Sequence, residues 1–381
     1  MQRTQERNNY LAQEGTKSTP TALGTTAHHD APPKYQAGYE DTQHTTEGPY
    51  GNESNTHIWE GGLGFPPGIK AEFARSAEAF ATRYWIIDNS GSMTTADGHL
   101  TNESADGSCR ATTCSRWAEL SSTIAFHAET AIALQAPTEF RLLNHPGRGS
   151  QVVRVGESHT PTDAAQAAVQ QLCASQPTGR TPLCSQIREV VHAIHEQVAQ
   201  LRTNGKRVVV VIASDGEATD GNIAHALAPL KDLPVWVVIR LCTDDESVVK
   251  YWNNIEEDLE LEMDVLDDVD SEAREVNDHA PWFTYGKAMH RLREWGAVNK
   301  ILDVIDERPL VAHELVQLVR LIYGDTAADL PQPDVKWSAF KHQLETEIAK
   351  YPMVWDPLRE KKRPWIKVGT KLTKNFKPKR W

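Results

Sequence analysis

The 381-residue sequence has little of what marks membrane, secreted or zinc-binding proteins. It contains no apolar run near the roughly 18 residues that a spanning helix needs, so we expect no transmembrane segment. No apolar stretch follows the charged residues at the N-terminus, and we therefore expect no secretory signal. The five cysteines are scattered without a CxxC pair, which argues against a disulfide framework or structural zinc site. These absences predict a cytoplasmic protein, with a nuclear location as the alternative.

Charge is distributed unevenly along the chain. The net charge is -12, yet residues 359–381 contain ten basic residues and one acidic residue, so the remainder carries -21. An acidic body argues against a dedicated nucleic-acid-binding protein. The basic tail interleaves its cations with Trp365, Phe376 and Trp381. Nucleic acid or an anionic membrane is therefore an alternative partner for the tail, but we favour a tail that is solvated or folded back on the acidic body.

Composition divides the chain into four segments. Residues 1–57 nearly lack aliphatic side chains and are predicted to be disordered. Residues 80–270 alternate apolar strand-like runs with amphipathic helical patterns. Residues 271–355 contain helical patterns without strand signals and predict a helical extension that packs on the sheet domain. Residues 356–381 form the basic tail.

The alternation predicts an α/β fold with a doubly wound, mostly parallel central sheet flanked by helices, followed by the C-terminal helical extension. Buried strands are expected within residues 83–88, 206–214 and 234–241. Residues 140–143 and 152–155 predict a pair of strands joined as a hairpin, and residues 93–115 predict a polar loop.

Oxygen-bearing side chains follow two of these strands. Another, Thr181 of the segment Gly179-Arg180-Thr181-Pro182-Leu183, precedes a long helix predicted by an apolar face from Leu183 to Leu201. The sequence Asp88-Asn89-Ser90-Gly91-Ser92 follows the first strand, and Asp215 follows the strongest. Ligands bind at the carboxyl ends of the strands in parallel α/β sheets, so we expect these oxygens to converge on one hard cation. Mg²⁺ is the expected ion, with Mn²⁺ or Ca²⁺ as alternatives. The candidate ligands are Asp88, Ser90, Ser92, Thr181 and Asp215.

Each of these residues also has a simpler interpretation. The loop at Asp88 is typical of an Asx turn or helix N-cap, and Thr181 could cap the long helix. For Glu217, Thr219 and Asp220 we favour a solvated loop over a supporting role at the site. His127 lies within an amphipathic helical pattern, where a surface or core role is favoured over a catalytic one.

The combined motifs resemble the metal-ion-dependent adhesion site of the von Willebrand factor A family. There the first loop is DxSxS, the second supplies a threonine from a GxTPL-like segment, and the third supplies an aspartate from a T/S-D-G turn. The resemblance covers residues 80–270, about half of the chain. It implies that the same five residues hold a divalent cation, and that a protein ligand completes its coordination with an acidic side chain. It also implies a non-enzymatic interaction module.

Two departures and two alternative functions remain. Residues 94–115 are longer than the usual connection, and neither the extension nor the basic tail belongs to the family pattern. An Mg²⁺-dependent phosphotransferase or phosphatase would use Asp88 as nucleophile, but needs a carboxylate as general acid where this chain has Ser90. The other alternative is an adaptor or regulatory subunit anchored by its basic tail to nucleic acid or membrane.

Overall fold

A six-stranded sheet lies at the centre of the computed structural model, which describes residues 65–103, 109–243, 245–259, 261–327 and 329–377. The predicted disordered segment, residues 1–57, lies outside the described residues. All described residues belong to one compact unit that spans residues 51–381.

Ten strands occur in the described part of the chain. They are β1 (Phe80–Ile87), β2 (Gly98–Glu103), β3 (Cys109–Cys114), β4 (Thr138–Leu142), β5 (Val152–Val155), β6 (Arg207–Ser214), β7 (Val235–Leu241), β8 (Met263–Leu266), β9 (Val354–Asp356) and β10 (Lys361–Arg363).

Twelve α-helices accompany these strands in the described ranges. They are α1 (Pro67–Ala79), α2 (Arg116–Ala133), α3 (Thr162–Cys173), α4 (Leu183–Thr203), α5 (Ile223–Leu227), α6 (Glu246–Leu259), α7 (Val269–His279), α8 (Lys287–Glu294), α9 (Lys300–Val304), α10 (Ala312–Tyr323), α11 (Trp337–Ile348) and α12 (Thr370–Phe376). Among the residues described, none of these helices has the length and apolar character needed to cross a membrane.

The central sheet has the strand order β5-β4-β1-β6-β7-β8. Neighbouring strands are parallel except at the edge, where β5 runs antiparallel to β4. The mostly parallel sheet and the predicted β4–β5 hairpin are therefore confirmed. The chain moves outward from β1 to β5 and then returns to place β6 on the other side of β1. The direction of winding therefore reverses between β1 and β6.

Alternate residues of the central strands enter two separate hydrophobic cores. Trp85 and Val209 lie in one core, whereas Ile86 and Val210 lie in the other. The first core contains apolar residues of α1, α2, α3 and the segment beyond residue 271, and the second contains those of α4, α5 and α6. Helices thus flank both faces of the sheet, which explains why the central strands bury apolar side chains on both faces.

The segment predicted to be a polar loop contains a second hairpin. A 3-10 turn at Gly91–Thr94 leads to β2, which pairs with β3 in antiparallel register from Gly98 opposite Cys114 to Glu103 opposite Cys109. The hairpin is joined to α2 by the amide of His99, which donates to Glu119 Oε2 at 2.9 Å. The prediction of a loop was wrong because strand pairing at the surface needs backbone partners but no alternation of apolar side chains.

The C-terminal part of the chain packs on the sheet. The buried apolar residues after residue 270 belong to the same hydrophobic core as Trp85. In the described part of the chain they do not form a separate core. β10 of the basic tail pairs with β9, which ends where the tail begins, and the tail side chains of Trp365 and Phe376 are buried. Residues 356–377 are therefore folded back on the body, while Trp381 lies outside the described residues.

Candidate metal centre

The first and third predicted loops leave neighbouring strands at the point where the winding reverses. Ile87 at the end of β1 is in register with Ala213 near the end of β6, and the amide of Asp88 donates to the carbonyl of Ala213 at 2.8 Å. Asp88 and Asp215 therefore emerge side by side. Such reversal points form the crevice in which open α/β sheets bind their ligands.

Asp88 is a fully buried carboxylate, 0 % exposed. Its Oδ1 accepts from the amide of Ser90 at 2.8 Å, and its Oδ2 accepts from the hydroxyl of Ser214 at 2.6 Å. Burial raises the pKa of the Asp88 carboxyl; the hydrogen bonds from Ser214 and Ser90 oppose this shift, and the charge of Asp215 adds to it. A cation placed here would offset both the burial and the repulsion.

The two serines of the first loop connect to Asp215 through their hydroxyls. Ser90 Oγ lies 2.9 Å from Ser92 Oγ, and Ser92 Oγ donates to Asp215 Oδ1 at 2.9 Å. Oxygens bound at right angles to Mg²⁺, each roughly 2.1 Å from it, lie about 3 Å apart. The spacing of these three oxygens fits that geometry, and ordinary hydrogen bonds of the same length hold them together.

Thr181 lies in the second loop, which is tied to the other two by backbone bonds. The amide of Gly91 donates to the carbonyl of Gly179 at 3.2 Å. The amide of Thr181 donates to Thr219 Oγ1 at 3.2 Å, and the amide of Thr219 donates to the carbonyl of Thr181 at 2.9 Å. Gly179 has φ of 84°, a conformation that favours glycine. These bonds bring Thr181 beside the loop that carries Asp215.

The N-terminus of α4 is capped by Asp220, a residue distant in sequence. Its N-cap residue is Pro182, so Thr181 does not fill that position. Instead Asp220 accepts from the amides of Cys184 at 3.0 Å and Ser185 at 2.8 Å. The expectation of a solvated loop is therefore wrong for Asp220, whose carboxylate fixes the third loop against the start of α4.

Arg116 is a residue of the site that the sequence analysis missed. Its Nη1 donates to Asp215 Oδ2 at 2.9 Å. Its Nε and Nη2 donate to the two oxygens of Asp97, at 2.7 and 2.6 Å, just before β2. A cation at the first residue of a helix is unfavourable unless a carboxylate lies nearby. That rule was the available signal, but it does not say which carboxylate is the partner.

Two asparagines brace the first loop, and neither was predicted. Asn89 is fully buried, and its Oδ1 accepts from the amide of Asn144 at 2.8 Å. Its Nδ2 donates to the carbonyl of Asn144 at 2.9 Å. Asn144 in turn donates to the carbonyl of Arg180 at 2.7 Å. The first two loops are thereby held in a fixed relation, which favours a pre-formed site.

The donor set contains two carboxylates together with hydroxyls. Over the described ranges, no group of three or more His, Cys, Asp or Glu side chains is arranged to hold a metal ion. A cation at this centre would depend on serine and threonine oxygens and on water. Mg²⁺ tolerates such a set because it usually keeps several waters. Cys114, Cys173, Cys184 and Cys242 are free thiols, and the side chain of Cys109 lies outside the described part.

No protein-family model matches this sequence, and no curated protein sequence matches it significantly. What the site does must therefore be argued from its residues and geometry.

Proposed function

We propose that this protein is a non-enzymatic interaction module of the von Willebrand factor A type that binds a divalent cation, Mg²⁺ first, and uses it to bind a protein partner. The ligands are the five predicted residues: Asp88, Ser90, Ser92, Thr181 and Asp215. The observation that carries the proposal is the position of Ser92, whose hydroxyl contacts both Ser90 and Asp215 across the winding reversal. Two distant segments thus place side-chain oxygens together, and the backbone bonds between Thr181 and Thr219 support the third segment as a neighbour.

The charge of the site favours an acidic partner. Asp88 and Asp215 contribute two negative charges, and Arg116 offsets part of the charge on Asp215. A bound Mg²⁺ would balance these two carboxylates and accept a carboxylate oxygen as a further ligand in place of water. Gly91 and Ser92 are exposed, so a partner can approach the first loop from solvent.

The environment of Asp88 favours binding over phosphoryl transfer. A nucleophilic carboxylate needs an oxygen that a substrate can reach. Asp88 is fully buried, and each of its oxygens accepts a hydrogen bond. Ser90, at the position of the general acid, cannot deliver a proton as a carboxylic acid does.

Calorimetric titration of Mg²⁺ tests the metal site. We expect one ion to bind to the full chain, and Asp88→Asn to weaken binding at least tenfold because the site loses one of two negative charges. Ser92→Ala should weaken binding less, since one neutral oxygen can be replaced by water. Ser247→Ala is the matched control, because Ser247 also donates to a carboxylate but on the exposed Asp245. Wild-type affinity in Asp88→Asn would refute the proposal.

Retention of a partner from cell extract tests the second half of the proposal. The immobilised chain should retain protein in Mg²⁺ and release it in EDTA, and Asp215→Asn should retain none. Amidation of the carboxyl groups in the extract should also abolish retention. Retention that persists after amidation would show that the partner does not use an acidic side chain.

A further inference from the structure

The two oxygens of Asp215 have different partners. Oδ1 accepts from Ser92 Oγ at 2.9 Å, on the side of the predicted ligands. Oδ2 accepts from Arg116 Nη1, also at 2.9 Å. The Asp215 side chain is only 2 % exposed, so water has little access to replace either contact. One oxygen is therefore associated with the site and the other with the guanidinium.

Arg116 itself is firmly held. All three of its guanidinium nitrogens donate to carboxylates, one to Asp215 and two to Asp97. Its backbone amide donates to the carbonyl of Thr95 at 2.9 Å. A planar guanidinium bound in this forked manner has a fixed orientation, which a lysine ammonium would lack.

Asp88 differs, because its oxygens accept from neutral donors, Oδ2 from Ser214 and Oδ1 from the amide of Ser90. A neutral donor leaves its acceptor oxygen able to bind an ion, whereas the positive charge of Arg116 opposes a cation at Asp215 Oδ2. Asp215 is therefore held to one metal-facing oxygen. This matters because Ca²⁺ takes about six to eight oxygen ligands and often binds carboxylates through both oxygens. Mg²⁺ takes six ligands in octahedral geometry and is satisfied by single oxygens and water.

We propose that Arg116 is a positioning residue that restricts Asp215 to one metal-facing oxygen and so makes the site select Mg²⁺ over Ca²⁺. This inference rests on the proposed function, because it concerns the same cation. Asp97, at the start of the inserted hairpin, holds Arg116 in place. The insertion that departs from the family pattern thereby contributes to ion selectivity.

Separate titrations of Mg²⁺ and Ca²⁺ into the full chain test this role. Arg116→Met keeps the aliphatic stem but removes the charge and the donors. Both ions should bind more tightly, and the ratio of the Ca²⁺ to the Mg²⁺ dissociation constant should fall about tenfold because Asp215 gains a second oxygen for Ca²⁺. Arg116→Lys retains the charge but loses the forked contacts, so its ratio should lie between those of the wild type and Arg116→Met.

The controls separate this inference from the proposed function. Arg154→Met is matched, because Arg154 also pairs with a buried carboxylate, that of Glu139. It should leave both affinities unchanged. If the wild type binds neither ion, the proposed function fails. If the wild type binds Mg²⁺ but Arg116→Met leaves the ratio within twofold of the wild type, only the role of Arg116 fails. Arg116→Ala gives the same test if the methionine variant does not fold.

Discussion

His127 is a histidine that burial keeps neutral. It is 0 % exposed, its Nε2 lies 3.0 Å from Glu294 Oε2, and its ring stacks on that of Trp295. Burial is the main cause that lowers its pKa to about 4; Glu294 opposes the shift, and the charges of Arg291 and Arg83 add to it. A histidine of a core helix thus contributes packing, which agrees with the role favoured from the sequence.

The stability contributed by His127 should depend on pH. In the unfolded chain its pKa is near 6.5, the ordinary value for histidine, so below that pH the unfolded state takes up a proton that the folded state does not. The free energy of unfolding therefore falls as the pH decreases from 6.5 towards 4. At pH 5 the loss is roughly 2 kcal/mol relative to pH 7.5. His127→Gln lacks this loss. The amount by which the wild type is more stable than His127→Gln should therefore be roughly 2 kcal/mol smaller at pH 5 than at pH 7.5.

Urea unfolding of both chains at pH 7.5 and pH 5 measures this difference. The comparison with the mutant is needed because burial raises the pKa of Asp267 and Asp306 to about 7, which favours the folded state at low pH in both chains. A stability difference between His127→Gln and the wild type that stays constant between the two pH values would show that His127 is not held neutral.

At the residue scale, the sequence predicted the candidate metal ligands better than the residues that hydrogen-bond to them. Asp88 and Asp215 were found because each directly follows an apolar strand. Ser214 and Arg116 were not recognised as their partners, because they lie 126 and 99 residues away from Asp88 and Asp215 respectively. Which residues meet depends on strand order and register, and on the hairpin that aims Arg116, none of which local composition specifies.

Helices α1 and α10 approach each other through glycine. A Cβ atom built on Gly68 would lie 2.5 Å from the amide nitrogen of Gly324 and 2.5 Å from the carbonyl oxygen of Leu321. Gly324 ends α10 with φ of 68°, which favours glycine. The contact is between backbones, so a side chain at residue 68 has no flexible neighbour to displace.

Gly68→Ala should therefore destabilise the protein. The added methyl group requires the two helices to move apart, which costs about 1–3 kcal/mol in a close-packed interior. Urea unfolding at neutral pH would measure this loss. Gly369→Ala is the matched control, since no described atom lies within 4 Å of its added Cβ, and it should change stability by at most about 0.5 kcal/mol. Equal effects of the two substitutions would contradict the role of Gly68 in the helix contact.

At the scale of elements, long apolar patterns predicted the buried strands well. Elements that depend on backbone pairing with a distant segment were not predicted. The strand within residues 206–214 was found because five successive β-branched residues favour a strand in a buried parallel sheet. By contrast, the helical pattern of residues 282–295, within the predicted extension, forms a helix only from Lys287. The preceding residues pair with the tail: the amide of Thr284 donates to the carbonyl of Trp365 at 2.9 Å. A partner about 80 residues further along the chain outweighs the local helical pattern.

At the scale of the whole molecule, the change in composition near residue 270 is not a boundary in packing. Val209 of the central sheet and Leu292 of α8 belong to one hydrophobic core. A Cβ atom built on Gly296 would lie 2.7 Å from a methyl carbon of Val209, so the chain after α8 approaches the sheet as closely as glycine allows. The segment after residue 270 therefore covers part of one face of the sheet, beside α1, α2 and α3.

Two buried cations of the sheet also depend on that segment. Arg83 of β1 donates through Nε to the carbonyl of Trp295 at 3.2 Å, and its guanidinium lies 3.9 Å from the centre of the Trp295 ring. Arg240 of β7 lies 3.4 Å from Glu294 through its Nε. Both arginines are almost fully buried. Without α8, Arg240 would keep its pair with Glu119, and Arg83 would keep its hydrogen bonds to Ser76. Because a buried cation is unfavourable when its contacts are incomplete, the contacts to Trp295 and Glu294 join the folding of the sheet to that of α8.

A chain truncated after residue 270 should therefore fail to fold cooperatively, although it contains all six central strands and all five candidate ligands. It would expose the part of the sheet face that the missing segment covers, and it would leave Arg83 and Arg240 without the contacts to Trp295 and Glu294. We expect near-UV circular dichroism to lose its fine structure and thermal unfolding to become broad. A chain ending at residue 377 keeps every described contact and should melt like the full-length protein. A sharp transition in the shorter chain, with Mg²⁺ bound at full-length affinity, would show instead that the sheet folds independently and that the extension is an addition to it.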